Sequence, residues 1–446
     1  MALSTETRHQ RKLEEVIQQM EAMAGQGLPG HIDKGGVSHF VPLPGDARRQ
    51  GKSLDIAKLN ECLYIDPVER IAVAEPGIRF AEVLKRTLPL GLMPAVVPEL
   101  KGITLGGAIA GASIESSSFR YATFHDSCLE YEVLTADGVI LTCSREKDPL
   151  LFEMMHSSYG TLGILTRLTF RLIPAGPYVH VSYLHCRNFL DFKDAMLQHC
   201  RNGSCDFIDG IIHGPQNCVL CLGHFVNRAP FVSKYDGTQI YYKSTQWLMD
   251  DYLSTCDYCF RYDTECHWLS RSVPLLENSL FRRLAGRLFL GSTNLIKWSR
   301  RIESLLKLKK HPDVVCDVFI PSRNLGAFWE WYEKVFDYYP LWIVPARLLH
   351  AYPWLSEAKR AEFNDEFVID CAVYGKANSR PDVDYSQLLE AKTEELGGIK
   401  TLISRNHYTP EQFWRIYDKP NYDLIKQRVD PQGLFPDLYT KFKPRD

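Results

Sequence analysis

A chain of 446 residues is long enough for two or three domains, each with a core of its own. Hydrophobic residues at 45% and charged residues at 24% are the balance of a soluble globular protein and exclude a disordered or fibrous chain. A formal net charge of −2 excludes a global basic field of the kind that gathers nucleic acid, so no nucleic-acid partner is expected.

The N-terminus, "MALSTETRHQRKLEEVIQQMEAM", is charged and amphipathic, which is wrong for a secretory signal. It reads as one helix over 1–28, ended by "GQGLPG". "HIDKGGVSHFVPLPGD" is a Gly/Pro-rich connector. "CLYID" and "RIAVAEPG" are short strands joined by the turn "DPVER". In "RFAEVLKRTL", Phe80, Val83, Leu84 and Leu88 have helical spacing, and Pro89 and Gly91 stop the helix.

"GITLGGAIAGASIESSS", Gly102 to Ser118, follows. No window of about 18 apolar residues exists for a spanning helix, and Glu115 and the serines interrupt this one. Gly106 and Ala110 have small-xxx-small spacing, which signals helix pairing only inside a long apolar segment. Its glycines allow main chain to lie close to an anion, because no Cβ intervenes and φ can be positive. It is not the dinucleotide fingerprint: no strand feeds "GGAIAG", and no βαβ pattern with an acidic ribose ligand follows.

"CLEYEVLTADGVILTC" reads as two strands around "ADG". "DPLLFEMMHSSYGTLG" starts a helix at Asp148–Pro149 and runs into a glycine turn, and "ILTRLTFRLIP" alternates as a strand up to Pro174. From Tyr178 the texture changes to strand-like and aromatic-rich segments: a second α+β domain. The last residues hold the helix "TPEQFWRIYD" and the ending "NYDLIKQRVDPQGLFPDLYTKF". The 13 cysteines read as reduced thiols. "CVLC" (Cys218, Cys221) and "CDYC" (Cys256, Cys259) have zinc half-site spacing, but "NCVLCLGHF" alternates like a strand and lacks a Gly-rich knuckle, so no metal is expected.

The order of these elements resembles the flavin-binding fold of the vanillyl-alcohol-oxidase (PCMH) type, and within it the Δ24-sterol reductases. The phrases that carry the resemblance are "VPEL…TLGGAIAGASIESSSFRY", "YEVLTADG", "SYGTLGILTRLTFRLIPA", "YYPLWIVP" and "FWRIYD…FPDLY". It spans about Gly35 to Tyr439 and is strongest over 94–175. It implies an α+β, two-domain flavoprotein: an FAD-binding domain over 1–178, completed by 400–446, and a substrate domain over 179–399. It also implies NADPH-driven reduction of a C=C bond in a sterol-like or isoprenoid lipid. The alternative is an FAD-dependent oxidase or dehydrogenase of an alcohol or sugar, since "RVDPQGLF" also resembles decaprenyl-phosphoryl ribose oxidases. The membrane anchor of the animal reductases has no counterpart here, so a cytoplasmic protein, soluble or peripherally bound to membrane, is expected.

The resemblance also implies residue roles. Gly35, Gly36, Val37, Ser38 and His39 would form the first pyrophosphate loop. Val37 and Ser38 separate His39 from the Gly-Gly pair, and the reductases bind FAD without a bond, so non-covalent FAD is expected. Gly106, Gly107 and Gly111 would allow close approach, and Thr104, Ser113, Ser116 and Ser117 would offer hydroxyls. Pro98 and Glu99 would frame the adenosine side. Gly160, Thr161, Gly163 and Ile164 would bond the adenine or ribose, with Tyr121 and His125 near the isoalloxazine. Alkene reduction needs a proton donor opposite the hydride. Asp263, Glu265, His267, His407 and Tyr408 are candidates, with Arg405 to stabilise reduced flavin. "WLSRSVPLLENSLFRRLAGRLFLG" is an apolar lid, a membrane-touching surface or a buried helix pair.

Overall fold

The computed structural model describes residues 4–25, 29–35, 40–41, 48, 51–235, 238–272, 274–278, 282–283, 290–294, 313–378, 380 and 382–444. Helix α1 (Thr5–Ala24) is capped by Ser4, whose hydroxyl accepts from the Thr7 amide. Its buried stripe of His9, Leu13, Val16, Met20 and Met23 repeats every three or four residues. Four of these pack on Leu54, Ile56, Leu434 and Phe435. Beside it, β1 (Gly30–Asp33) and β2 (Lys52–Asp55) pair in parallel. The sequence placed β1 in a connector, because four residues ending against a Gly-Gly pair carry no readable alternation.

A first antiparallel sheet contains β3 (Cys62–Asp66), β4 (Ile71–Ala74), β5 (Leu92–Pro94), β6 (Cys128–Leu134), β7 (Ile140–Ser144) and β8 (Ile164–Pro174). Its order is β3-β4-β8-β6-β7, with β5 on β8. Long β8 is the spine, and α2 (Phe80–Thr87) buries Phe80, Val83 and Leu84 beside it. The chain then changes sheets. β9 (Tyr178–Cys186), β10 (Phe207–Gly214), β11 (Asn217–Val226), β12 (Asp250–Ser254), β13 (Val314–Pro321), β14 (Leu341–Arg347), β15 (Phe367–Lys376) and β16 (Ile399–Lys400) form a second antiparallel sheet. Its order is β12-β9-β11-β10-β14-β15-β13-β16. The architecture is α+β.

Alternation along these strands gives the second sheet two different faces. Val318, Ile320, Ile343 and Cys371 pack under the helices Phe189–Asn202, Leu325–Trp331 and Tyr385–Glu395. Their neighbours Asp317, Phe319, Trp342 and Asp370 face the first sheet. The same alternation disposes of the zinc spacing: Cys218 and Cys221, three apart in β11, fall on opposite faces, one in each core. All 13 cysteines are free thiols, and no metal-holding group of side chains occurs among the described residues. No helix among them is long and apolar enough to cross a membrane. The C-terminal segment returns to the first sheet. There Lys426 Nζ donates to the Thr161 and Phe435 carbonyls (2.7 and 2.9 Å), and Tyr422 OH donates to Thr161 Oγ1 (2.9 Å).

The two sheets are joined through a buried cation. Arg261 lies between Glu115, from the glycine-rich stretch, and Asp209 of β10, with Nη2 at 3.0 and 3.1 Å from their carboxylates. Its guanidinium packs over the Tyr258 ring, 4.2 Å from the centroid, and Nη1 donates to the Tyr258 carbonyl. Tyr262 OH and Trp342 Nε1 donate to the other Asp209 oxygen (2.7 and 2.9 Å). Removing one member of such a group leaves uncompensated charge in a dry interior, at a cost of about 3–5 kcal/mol. Arg261→Met is therefore expected to lower unfolding free energy by about that amount in denaturant titrations, while Arg201→Ala at an exposed pair should change it by less than about 1 kcal/mol.

Candidate active site

A cavity of about 630 Å³ opens between the sheets. One flank is the glycine-rich stretch from Thr104 to Ile114, together with His31–Lys34 and the turn around Gly160 and Gly163. The facing wall is the second sheet, and Thr401, Ile403 and Lys441 of the returning segment close the side.

The glycine flank is built by close approach. Leu105–Ala110 is a short helix, α3, capped by Thr104, whose hydroxyl accepts from the Gly107 amide at 3.3 Å. A Cβ on Gly106 would stand 2.7 Å from the Pro76 Cβ. One on Gly107 would stand 3.1 Å from Thr104 Oγ1 and 3.2 Å from Lys34 Nζ. Gly163 has φ +103°, and a Cβ there would meet the Leu134 carbonyl oxygen at 2.9 Å. The amides of this turn are consumed within the protein: Leu105 donates to Ile78, Gly106 to Pro76, Gly111 to Gly107 and Ser113 to Ala108. The glycines thus contribute bare surface rather than donors. Polar groups come from side chains. Lys34 and Lys441 bring positive charge to the wall, and Ser113 lines it too. The buried His31 Nδ1 has no partner among the described residues.

The opposite end is aromatic and acidic. His267 is sandwiched between Tyr374 and Tyr262, ring centroids 4.3 and 5.0 Å away, and its Nε2 lies 3.0 Å from Glu99 Oε1. Trp342 packs against the same imidazole at 4.7 Å. Asp317 of β13 accepts from Tyr374 OH at 2.5 Å and from Thr401 Oγ1 at 3.3 Å. Asp370 of β15 is its diagonal neighbour, because Asp317 pairs with Ala372 and Phe319 with Asp370. Asp370 Oδ1 is buried with no partner among the described residues. Burial, reinforced by the Asp317 and Glu99 charges, holds the Asp370 carboxyl well above the usual carboxylate range. Burial also holds Asp317 above its ordinary value, against the opposing pull of the Tyr374 and Thr401 hydroxyls.

Comparison with known proteins identifies the larger half of this constellation. The FAD binding domain family matches residues 10–144, which include His31–Lys34 and the stretch from Thr104 to Ile114 but not the turn around Gly160 and Gly163. The chain is an FAD-dependent oxidoreductase. It is 26% identical to the Δ24-sterol reductase of Homo sapiens over 97% of this chain and 86% of that one. It is 25% identical to the Δ24-sterol reductase of Pisum sativum over 87% of this chain and 76% of that one. Cytokinin dehydrogenase 7 of Oryza sativa subsp. japonica is 29% identical over 40% of this chain and 37% of its own. The paired sheets are those of a vanillyl-alcohol-oxidase-type flavoprotein. The cavity suits FAD: a glycine-rich flank, two ammonium groups and an orphaned imidazole nitrogen along one wall.

The residues expected at the flavin site divide. Pro98, Glu99, Thr104, Gly106, Gly107, Gly111, Ser113, Gly160, Gly163 and Ile164 line the cavity of this flavoprotein. Glu99, expected on the adenosine side, lies against His267 at the acidic end. Gly35 takes φ +64° next to Lys34, and Gly36, Val37, Ser38 and His39 lie outside the described residues. Ser116 and Ser117 lie off the cavity wall. Ser116 bonds Glu115, and its carbonyl accepts from Ile208 at 2.7 Å, while Ser117 donates to the Ala95 carbonyl. Thr161 is turned away toward Ser158 and Tyr422. Tyr121 and His125 do not line the cavity; His125 is buried in a stack on His156, centroids 3.9 Å apart.

Of the expected catalytic groups, only His267 lines the cavity. Arg405 is forked onto Asp384, with both contacts at 2.5 Å, and the His407 amide donates to Glu390. Tyr408 is buried elsewhere, Glu265 pairs with Arg282 at 2.6 Å, and Asp263 accepts from the Lys101 amide. Of the segment read as a lid, a membrane-touching surface or a buried helix pair, 273, 279–281 and 284–289 lie outside the described residues, while Trp268 is buried and Leu269 lines the cavity. Asp317, Asp370, Trp342 and Tyr374 were missed. "CDVFI" and "VIDCAVY" each carry an acid inside an apolar strand run, and that was the available signal.

Two predictions follow from this geometry. Gly107→Val should place a branched side chain in the cavity and weaken FAD retention by about tenfold or more, the equivalent of about 1.4 kcal/mol. Flavin absorbance after gel filtration measures it, with circular dichroism unchanged. The second concerns the His125–His156 stack. Burial holds His125 far below its ordinary value and His156 near about 3. Unfolded imidazoles take up protons as pH falls through about 6.5 while these two do not, so stability is present above that pH and is lost below it. His156→Gln should make the fall in stability between about pH 6.5 and about pH 4 shallower by roughly 1.4 kcal/mol per pH unit, read from denaturant midpoints.

Proposed function

We propose that this flavoprotein reduces a carbon–carbon double bond of an apolar, sterol-like lipid, with NADPH as the source of electrons. The observation that carries the reading is one continuous cavity with two unlike flanks. A glycine flank suits the cofactor, and the wall of Trp342, Tyr374, Phe319 and His267 suits an apolar substrate. The near full-length similarity to Δ24-sterol reductases supports that direction of hydride flow.

FAD, once reduced, would supply the hydride. Lys34 and Lys441 would bind its anionic part, and the absence of a side chain at Gly107 would let it lie close to the main chain. The stacked rings of His267 and Tyr374 would orient an apolar chain and exclude water from the acidic end. Arg261 would keep the sheets, and so the two flanks, in register.

The test is anaerobic. Protein loaded with FAD should be bleached by NADPH, and the yellow colour should return on adding a sterol with a Δ24 double bond in detergent micelles. Bleaching by a sugar or simple alcohol, with no recolouring by the sterol, would instead establish an oxidase or dehydrogenase.

A further inference from the structure

The acidic end of the cavity holds more carboxyl groups than a purely apolar substrate needs. Asp317, Asp370 and Glu99 all line it, close enough for each to act on the charge of another. Like charges this close do not all ionise, and unequal hydrogen bonding decides which one keeps a proton. Asp317 is served by two hydroxyls, from Tyr374 and Thr401, which stabilise its carboxylate. Glu99 lies 3.0 Å from an imidazole nitrogen of His267. Asp370 receives no donor among the described residues, and with 2% of its surface exposed it has little access to water.

We propose that Asp370 is the proton donor of this site: its neutral carboxyl protonates one alkene carbon while the other carbon accepts hydride. This rests on the reading above. The O–H bond of Asp370 breaks and its proton goes to carbon. The alkene π bond breaks, and the hydride pair from the reduced flavin forms the second C–H bond. The substrate gains two electrons and the flavin loses them. Asp370 is left as a carboxylate, which takes one proton from solvent while NADPH reduces the flavin again. Asp317 then acts as a positioning residue. Its charge, fixed by Tyr374 and Thr401, raises the cost of ionising Asp370 and so keeps the proton in place until substrate arrives. Burial acts in the same direction, holding Asp370 well above the usual carboxylate range.

The test compares the unsubstituted holoenzyme with Asp370→Asn in separate half-reactions. The amide is nearly isosteric, so FAD content and the rate of bleaching by NADPH should be unchanged. Recolouring by the Δ24-unsaturated sterol should slow by about 100-fold or more, the scale of a lost general acid. The infrared C=O band of a protonated carboxylic acid, present at neutral pH, should lose intensity at every pH in Asp370→Asn, whereas in Asp317→Asn it should persist at low pH and disappear at a lower pH than in the unsubstituted enzyme, because the charge that opposes ionisation of Asp370 is gone. Should Asp370→Asn fail to fold, Asp370→Glu serves: it should recolour with sterol and shift that band. Unchanged recolouring in Asp370→Asn, or a carboxylic band that responds to Asp317→Asn and not to Asp370→Asn, overturns the inference. Failure of the unsubstituted enzyme to recolour with sterol overturns the proposed reaction, and this inference with it; that failure is recognisable because it needs no substitution.

Discussion

Arg261 is the constraint on which the site depends. It has no access to water and is held between Glu115 and Asp209, one carboxylate from each side of the cavity. Moving the sheets apart would separate these charges inside a low-dielectric interior, where their attraction is strong and water cannot replace it. The glycine stretch is tied in at further points, since Ser116 meets β10 and Tyr258, and Ser117 bonds the Ala95 carbonyl. The glycine flank and the facing wall are thus held as one unit.

This explains why the serines after Gly111 separate so sharply. Ser113 lines the cavity, while Ser116 and Ser117, three and four residues later, serve the interface. Composition cannot distinguish these uses, because a hydroxyl bonds a phosphate or a carbonyl equally well. The glycines show the same limit. Their need for bare backbone was legible, but their amides are already satisfied, Gly106 by the Pro76 carbonyl, Gly107 by the Thr104 hydroxyl and Gly111 by the Gly107 carbonyl.

The acidic end follows from sheet periodicity. Asp317 and Asp370 are 53 residues apart in sequence, yet the register of β13 on β15 makes them diagonal neighbours on one face. Each alone reads as an oddity within an apolar strand. Together, in a buried wall beside Glu99, they form a carboxyl group set whose protonation is decided by who receives hydroxyl donors. The search for an acid among "YDTECHW" and "SRNHY" found residues of the right chemistry, but Glu265, Arg405 and His407 are already engaged by neighbours.

The sequence by itself determined the α1 stripe, β3, β4, α2, β8 and the cofactor class. Each of these rests on local spacing or on short phrases whose meaning survives without knowledge of what lies opposite. Most of the glycines that the sequence singled out line the cavity, but Gly106 and Gly163 are required by close approach to Pro76 and Leu134, which no local spacing shows. The strand β1, the burial of His125 against His156, the Arg261 bridge and the pairing of Asp317 with Asp370 were decided by tertiary structure alone. They depend on register, on which face a residue takes and on which donors have been used already. All three are set by contacts between segments that are far apart along the chain.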